Sequence, residues 1–234
     1  MGVRAVTLDF GGTLVEGRLD KAVFVSRFRK LLSELGVEAS GRDVRRAVSK
    51  ALERRRALME ELREIRFEEF YSIVLRELGA PVDEEVLERV FETYSNSFRW
   101  TVIPGAVEAV LELRRGYRLA VVSNTTSRMP LVIIREMGLS DVFDAVVLSR
   151  DVGWRKPHPR IFGEALKALR VEAWEAVHVG DSPESDVTGA KAVGMRAILV
   201  GGAAEPLDPP PDILVKNISD VPKALEKLQD PQAM

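Results

Sequence analysis

The chain lacks several features, and each absence excludes a class of function. None of its 234 residues is cysteine, which excludes disulfide bonds, thiol nucleophiles and zinc–thiolate centres. The chain has 34 lysines and arginines and 36 aspartates and glutamates, so neither sign of charge is in large excess. We therefore expect no nucleic acid and no membrane surface as a partner. Runs of about 18 apolar residues are also absent, as is a signal-peptide pattern before Asp9, so we expect no membrane span and a cytoplasmic location.

What the chain does contain is a strand pattern close to its first residue. The apolar run at residues 3–8 leads directly to Asp9, and Gly11 and Gly12 follow. A short apolar run bounded by turn residues is typical of a fully buried strand in a parallel sheet. Asp9 would stand at the carboxyl end of that strand, where open α/β sheets bind their ligands. A buried carboxylate is costly without a cation or donors beside it, so Asp9 either faces one of these or caps a turn.

Between residues 18 and 98, apolar side chains recur at the spacing of amphipathic helices. This part of the chain is predicted to hold helices only, at 18–36, 42–64, 67–78 and 83–98. A block of roughly 80 helical residues is large enough to form a small bundle with its own core.

From residue 104 onward, helical and strand patterns alternate. Strands are predicted at 117–122, 145–148, 176–179, 196–200 and 213–215, with helices between them. This alternation predicts βαβ units, and so an α/β fold with a doubly wound parallel sheet. The predicted division is a core domain, 1–15 with 101–234, into which a helical-bundle domain, 16–100, is inserted.

Polar residues follow three of these later strands. Ser123 and Asn124 come after the first, Lys156 after the second, and Asp181, with Asp186 five residues on, after the third. Taken singly, each has an ordinary explanation, because serine and aspartate often cap helices and lysine is usually a surface residue. The carboxyl ends of parallel strands meet at one edge of the sheet, however, so we expect these side chains and Asp9 to share one site.

The order and spacing of these residues resemble the four motifs of the haloacid dehalogenase-like (HAD) hydrolase superfamily, over nearly the whole chain. The resemblance implies that Asp9 is a nucleophile, that Ser123 and Lys156 form the second and third motifs, and that Asp181 and Asp186 form the fourth. It also implies a Rossmann-like core with a helical cap domain inserted between the first and second motifs.

This resemblance implies a Mg²⁺-dependent phosphatase that acts on a small phosphorylated substrate through an aspartyl-phosphate intermediate. Mg²⁺ prefers carboxylates and retains several waters. The metal site would consist of Asp9, Asp181 and the backbone carbonyl of Gly11, with Asp186 orienting Asp181 or a bound water.

The phosphoryl group, on the same resemblance, would bind against four residues that follow strands. Gly12 lets the backbone approach closely, Ser123 and Asn124 supply hydrogen bonds, and Lys156 balances the negative charge. We expect the protein to be a monomer or a homodimer.

One position departs from the pattern of the family's phosphatases. They usually carry a second aspartate two residues after the nucleophile, which protonates the leaving oxygen, and Gly11 occupies that position here. General acid–base catalysis typically contributes about 10²–10⁴-fold to a rate, so slow turnover of alkyl phosphates is predicted, with aryl or acyl phosphates favoured. Glu16, a cap residue or the substrate itself are candidates to replace the acid, ahead of His158.

Two other reactions occur in family members that lack this acid. Dehalogenases displace halide without a metal, and their fourth motif lacks the Gly180–Asp181 pair, which is intact here. Phosphonatase-like members form a Schiff base with a cap lysine, and Lys21, Lys30 and Lys50 lie in the corresponding region. A surface lysine on a helix is the simpler interpretation of each.

A third alternative is a catalytically weak binding or regulatory protein. It would use the arginines of the second predicted helix for docking: Arg42, Arg45, Arg46, Arg54, Arg55 and Arg56. A solvated helix face, paired with nearby glutamates such as Glu64, is the simpler interpretation.

Overall fold

A computed structural model describes residues 2–202 and 208–229, and the chain divides into two compact units. The first, called here the sheet unit, comprises Met1–Glu16 and Thr101–Met234. The second, called the helical unit, comprises Gly17–Trp100. No helix in the described ranges has both the length and the apolar character needed to span a bilayer.

The sheet unit contains one six-stranded parallel sheet, which confirms the predicted α/β fold class. Its strands are β1 (Ala5–Leu8), β4 (Arg118–Ser123), β5 (Ala145–Leu148), β6 (Ala176–Gly180), β7 (Arg196–Val200) and β8 (Ile213–Val215). Their order is β5-β4-β1-β6-β7-β8, so the first strand of the chain lies at the centre. Leu8 is in register with Val121 of β4 and with Val179 of β6. The carboxyl ends of these three strands therefore meet beside Asp9.

Helices accompany the strands of this sheet along the chain, most of them between two strands and the last after β8. They are α5 (Ala106–Arg114), α6 (Met129–Glu136), α7 (Ser149–Val152), α8 (Pro159–Leu169), α9 (Thr188–Ala192) and α10 (Val221–Gln229). A single π-helical turn, Pro183–Val187, precedes α9. Phe162 of α8 is buried in one hydrophobic core with Val122 of β4 and Leu199 of β7. Burial of these apolar faces holds the helical layer against the sheet.

The helical unit contains the four predicted helices: α1 (Lys21–Glu34), α2 (Gly41–Glu60), α3 (Phe67–Glu77) and α4 (Glu84–Ser95). Its core is an aromatic cluster in which Tyr71 contacts Phe24, Phe28 and Phe67, with ring centroids 4.4–6.1 Å apart. The Ser40 side chain caps α2 in a reciprocal arrangement with Asp43.

The prediction of helices only between residues 18 and 98 is wrong at both ends of that segment. Two strands, β2 (Val15–Leu19) and β3 (Phe98–Val102), form a separate two-stranded sheet. Gly17 makes this pairing possible, since a Cβ there would lie 2.6 Å from the Phe98 ring. Five-residue strands are too short for their alternation to be separated from the periodicity of a neighbouring helix.

Candidate active site

Asp9, Lys156 and Asp186 form a buried ionic cluster at the carboxyl edge of the sheet. Lys156 Nζ lies 2.5 Å from Asp9 Oδ1 and 2.6 Å from Asp186 Oδ1. The exposed fractions of the three residues are 6% for Asp9, 3% for Lys156 and 2% for Asp186. Charges at this depth are tolerated only when they are paired, so the lysine and the two carboxylates require one another.

Asn124 fixes the backbone of Lys156. Its Oδ1 accepts a hydrogen bond from the Lys156 N–H at 2.7 Å, and its Nδ2 donates to the Lys156 carbonyl at 3.1 Å. The turn that carries Asn124 is itself tied to α7, because Ser149 Oγ accepts from the N–H of Thr125. Both polar atoms of the predicted phosphate ligand Asn124 are thus engaged in positioning the loop of Lys156.

Asp186 is held from three directions. Besides Lys156, its Oδ1 contacts His178 Nε2 at 3.0 Å, and its Oδ2 accepts a hydrogen bond from the N–H of Ser182 at 3.0 Å. Gly180 admits the carboxylate, since a Cβ at that position would lie 2.3 Å from Asp186 Cγ. His178 was not predicted as a site residue, although a polar ring inside the otherwise apolar strand β6 was the available signal.

Asp181 is exposed and lies against the glycine turn that follows Asp9. A Cβ on Gly12 would come 2.3 Å from Asp181 Oδ2, and Gly12 also has a φ of +91°. Only glycine satisfies both the close approach and the left-handed backbone. Thr13 Oγ1 donates a long hydrogen bond of 3.5 Å to the other oxygen of Asp181.

The carboxylates of Asp9, Asp181 and Asp186 are close enough to hold a metal ion, with one ligand oxygen from each within 4.8 Å of the others. A set of oxygen donors of this kind suits Mg²⁺. The oxygens of Asp186 are already used by Lys156, His178 and Ser182, whereas Asp181 is open to solvent. Asp9 and Asp181 are therefore the better direct ligands.

The electrostatics of the cluster follow from burial and from the single cation. Burial raises the pKa of Asp9, and the attraction of Lys156 offsets this only in part. Burial acts in the same direction on Asp186, but Lys156 and the hydrogen bond from His178 outweigh it, so the pKa of Asp186 lies well below its usual range. For Lys156, Asp9 and Asp186 outweigh burial and raise the pKa. Lys156 and Asp186 therefore remain an ion pair at neutral pH.

Of the remaining predicted residues, Ser123 and Gly11 lie at the same edge of the sheet, and His158 begins a helix. Ser123 is the buried last residue of β4. Gly11 is exposed, and a Cβ built on it meets no atom of the described residues within 4 Å. His158 is the N-cap of α8, accepts a hydrogen bond from the N–H of Arg160 and stacks on Trp154, so its ring has a structural role.

A cavity of about 520 Å³ opens beside Asp181 within the sheet unit. Gly12, Glu16 and Lys216 are among its lining residues. Its size falls in the range of small-molecule sites. Among the described residues that line it, Glu16 is acidic and Lys216 is basic, besides Asp181.

In the helical unit, several charged residues named above have partners within that unit. Lys50 pairs with Glu77 at 2.6 Å, and Arg55 lies 3.7 Å from the buried carboxylate of Glu64. The exposed Lys50–Glu77 pair fits the solvated-face interpretation of α2, whereas the Arg55–Glu64 pair is partly buried.

Comparison with curated proteins finds relatives that are phosphatases or carry the hydrolase name. The chain is 40% identical over 156 residues to haloacid dehalogenase-like hydrolase domain-containing protein 3 of Bos taurus, covering 63% of this chain and 61% of that protein. It is 36% identical over 146 residues to glyceraldehyde 3-phosphate phosphatase of Pyrococcus abyssi, covering 60% and 61%. Phosphoserine phosphatase of Thermus thermophilus gives 36% over 146 residues, covering 61% and 58%. The matches thus span about three fifths of each relative's length.

Solved structures match over a larger part of the chain. A 2-haloacid dehalogenase from Pseudomonas syringae has a TM-score of 0.73 at 27% identity, covering 97% of this chain and 99% of its own. A HAD phosphatase from Thermococcus onnurineus has a TM-score of 0.61 at 28% identity, covering 95% and 98%. A HAD-hydrolase from Bacillus subtilis bound to magnesium shares the fold, with a TM-score of 0.60 at 19% identity, covering 97% and 100%.

The family model of haloacid dehalogenase-like hydrolases matches residues 3–194. This range includes β1 with Asp9, the ends of β4 and β6 with Ser123 and Asp181, and the loop after α7 with Lys156. The helices α1–α4 form an insertion after β1, as in family members with a helical cap. The chain therefore belongs to the haloacid dehalogenase-like hydrolase family.

Proposed function

We propose that this hydrolase is a Mg²⁺-dependent phosphatase that acts on a small phosphorylated molecule through an aspartyl-phosphate. The observation that carries the proposal is the arrangement of Asp9, which lies in one cluster of oxygen ligands with Asp181 and contacts the buried Lys156. A dehalogenase needs a carboxylate nucleophile but no second exposed carboxylate beside it. Asp181 therefore favours phosphoryl chemistry.

Asp9 and Asp181 would hold the metal ion, with the carbonyl of Gly11 as a further ligand and Asp186 behind them. When bound, Mg²⁺ supplies positive charge against the phosphoryl oxygens and against the carboxylate nucleophile. The phosphoryl group would bind against Ser123 and the backbone at Gly12, the residue whose missing Cβ already allows close approach to Asp181.

In the first step an oxygen of Asp9 forms a bond to phosphorus while the bond from phosphorus to the leaving oxygen breaks. The leaving oxygen departs as an alkoxide or phenoxide and takes a proton. In the second step water attacks the aspartyl-phosphate, releases inorganic phosphate and restores the Asp9 carboxylate. Lys156, held in place by Asn124 and Asp186, balances the negative charge that the Asp9 carboxylate and the phosphoryl group bring together in the site.

The proton for the leaving oxygen has no donor at Gly11. Glu16 is the acidic candidate, because it lines the same cavity as Gly12 and Asp181. Glu16 lines the cavity but is not one of the three clustered carboxylates. An acid in that position is less effective than one beside Asp9, so we expect slow turnover of alkyl phosphates and faster turnover of aryl phosphates.

The substrate class follows from the cavity and from the relatives. About 520 Å³ accommodates a small organic phosphate, and two of the relatives named above are a glyceraldehyde 3-phosphate phosphatase and a phosphoserine phosphatase. We propose a phosphorylated metabolite of comparable size as the substrate.

The test combines turnover with capture of a phosphoryl analogue. Wild-type protein should hydrolyse p-nitrophenyl phosphate only with Mg²⁺ and should show a higher Tm with Mg²⁺ and beryllium fluoride together than with either alone. Asp9→Asn should lose both responses while its circular dichroism spectrum is unchanged. Asp141→Asn, at an exposed position of the sheet unit, is the matched control and should retain both.

A dehalogenase-like activity is the second candidate, because the 2-haloacid dehalogenase from Pseudomonas syringae has a TM-score of 0.73. It would release chloride from 2-chloropropionate in EDTA and would show no Mg²⁺-dependent capture of beryllium fluoride. A binding or regulatory protein would show neither response.

A further inference from the structure

A buried hydrogen-bond chain extends the active-site cluster from β6 into β1. Thr7 Oγ1 lies 2.8 Å from His178 Nδ1, and His178 Nε2 lies 3.0 Å from Asp186 Oδ1. Thr7 and His178 are directly paired in the register of β1 and β6 and are both fully buried. The rings of Phe162 and His178 pack edge to face with centroids 5.1 Å apart, which restricts the plane of the imidazole.

The hydrogen bonds of Asp186 determine where the imidazole proton lies. Asp186 Oδ1 pairs with Lys156 Nζ, and its Oδ2 accepts a hydrogen bond from the N–H of Ser182, so the carboxylate is ionised and acts as an acceptor. A carboxylate that only accepts requires His178 Nε2 to carry a proton. In the neutral ring Nδ1 is then an acceptor, and the hydroxyl of Thr7 can donate to it.

We infer that His178 is a positioning residue: Thr7 holds it as the neutral Nε2–H tautomer, and in that form it fixes the Asp186 carboxylate that sets Lys156 against Asp9. Neither His178 nor Thr7 touches a reacting atom. Both act through Asp186, which shares one oxygen between His178 and Lys156. The kinetic part of this inference rests on the proposed phosphatase activity, whereas the tautomer does not.

The competing interpretation is that His178 and Thr7 only fill space in the core. In that case removal of the Thr7 hydroxyl would lower stability and leave the catalytic rate constant unchanged. A second alternative is an imidazolium, which would donate at both nitrogens and add a cation to the buried cluster.

The kinetic experiment uses two variants at one position. Thr7→Val preserves shape and removes the hydroxyl, whereas Thr7→Ser keeps the hydroxyl and removes a methyl group. Loss of a partner that orients an active-site carboxylate typically costs about 10–100-fold. We expect kcat for p-nitrophenyl phosphate to fall at least tenfold in Thr7→Val, with KM changed about twofold or less, and to recover in Thr7→Ser. At β6, His178→Gln retains a donor near the Nε2 position and should keep more activity than His178→Leu.

The second readout is the ¹⁵N spectrum of the imidazole rings in protein without substrate. The chain has two histidines, so His158→Gln assigns the resonances of His178 directly. We expect His178 Nε2 in the protonated range and Nδ1 in the unprotonated range, with Nδ1 shifted in Thr7→Val and restored in Thr7→Ser.

The outcomes separate this inference from the proposed function. A protonated Nδ1, in either the other tautomer or an imidazolium, overturns it, as does wild-type kcat in folded Thr7→Val. If Thr7→Val does not fold, the tautomer of His178 observed in the wild-type protein tests the inference instead. If the wild-type protein hydrolyses no phosphate ester, the proposed function fails, while the spectra still test the role of Thr7 and His178.

Discussion

Placing an acid at Gly11 is the sharpest test of the proposed chemistry. The substitution Gly11→Asp restores a carboxyl group two residues after the nucleophile, and the backbone tolerates it, because Gly11 lies outside the left-handed region. An ideal Cβ at Gly11 meets nothing within 4 Å among the described residues. The variant should therefore fold with a Tm close to that of the wild-type protein.

The size of the effect depends on the leaving group. An alkyl phosphate expels a basic alkoxide that needs a proton, so the new acid should raise kcat by about 10²–10⁴-fold. An aryl phosphate such as p-nitrophenyl phosphate expels a weakly basic phenoxide and should gain about tenfold at most. The ratio of the two rate constants is thus more informative than either alone.

The assay measures inorganic phosphate released from glycerol phosphate and from p-nitrophenyl phosphate in the presence of Mg²⁺. Gly11→Asn is the matched control, because it has the same shape and no acidic proton, and it should leave the ratio unchanged. An equal gain in Gly11→Asn, or no gain on the alkyl ester in a folded Gly11→Asp protein, would refute the missing-acid explanation. Glu16→Gln should lower alkyl phosphatase activity in the wild-type background and have little effect in the Gly11→Asp background.

Three further outcomes are expected. Lys216→Met, in the cavity beside Asp181, should raise KM about tenfold for a phosphate ester that also carries a carboxylate and leave KM for p-nitrophenyl phosphate unchanged. Gly12→Ala should abolish Mg²⁺-dependent turnover, since its Cβ would lie 2.3 Å from Asp181 Oδ2; wild-type activity in this variant would contradict the geometry. The Ser40 hydroxyl lowers the pKa of Asp43, so this stabilisation is present at neutral pH and is lost as pH falls through the lowered pKa. Ser40→Ala should therefore lower Tm by about 2–4 °C at pH 7 and by less at pH 3, as measured by calorimetry.

The sheet and the residues at its strand ends were predictable because both depend on local signals. The apolar run before Asp9 and the similar run before Ser123 are long enough to indicate buried strands. Parallel pairing then brings their carboxyl ends together, whatever the distance in sequence. Strands 145–148, 196–200 and 213–215 were predicted with the bounds that the structure has.

The parts that were not predicted depend on contacts between distant residues. The strands β2 and β3 are five residues each, and only their pairing distinguishes them from helix ends. The short helix α7 was also not predicted, since its four residues carry no period.

The phosphate contact of Asn124 stays a prediction, and only the structure shows that its side chain holds the backbone of Lys156, a partner 32 residues away. His178 gave a signal in its strand, yet only the positions of Thr7 and Asp186 reveal what it bonds.

The central position of β1 has a consequence for how the chain folds. Ala5–Leu8 pairs with residues 118–121 and with residues 176–179, so β1 is synthesised more than a hundred residues before either of its partners. Closing such long loops is slow, and an apolar strand without partners is prone to aggregation in the meantime. We therefore expect the Asp9 turn to become ordered late in folding, after β6 has docked, and amide hydrogen exchange during refolding should protect β1 and β6 together.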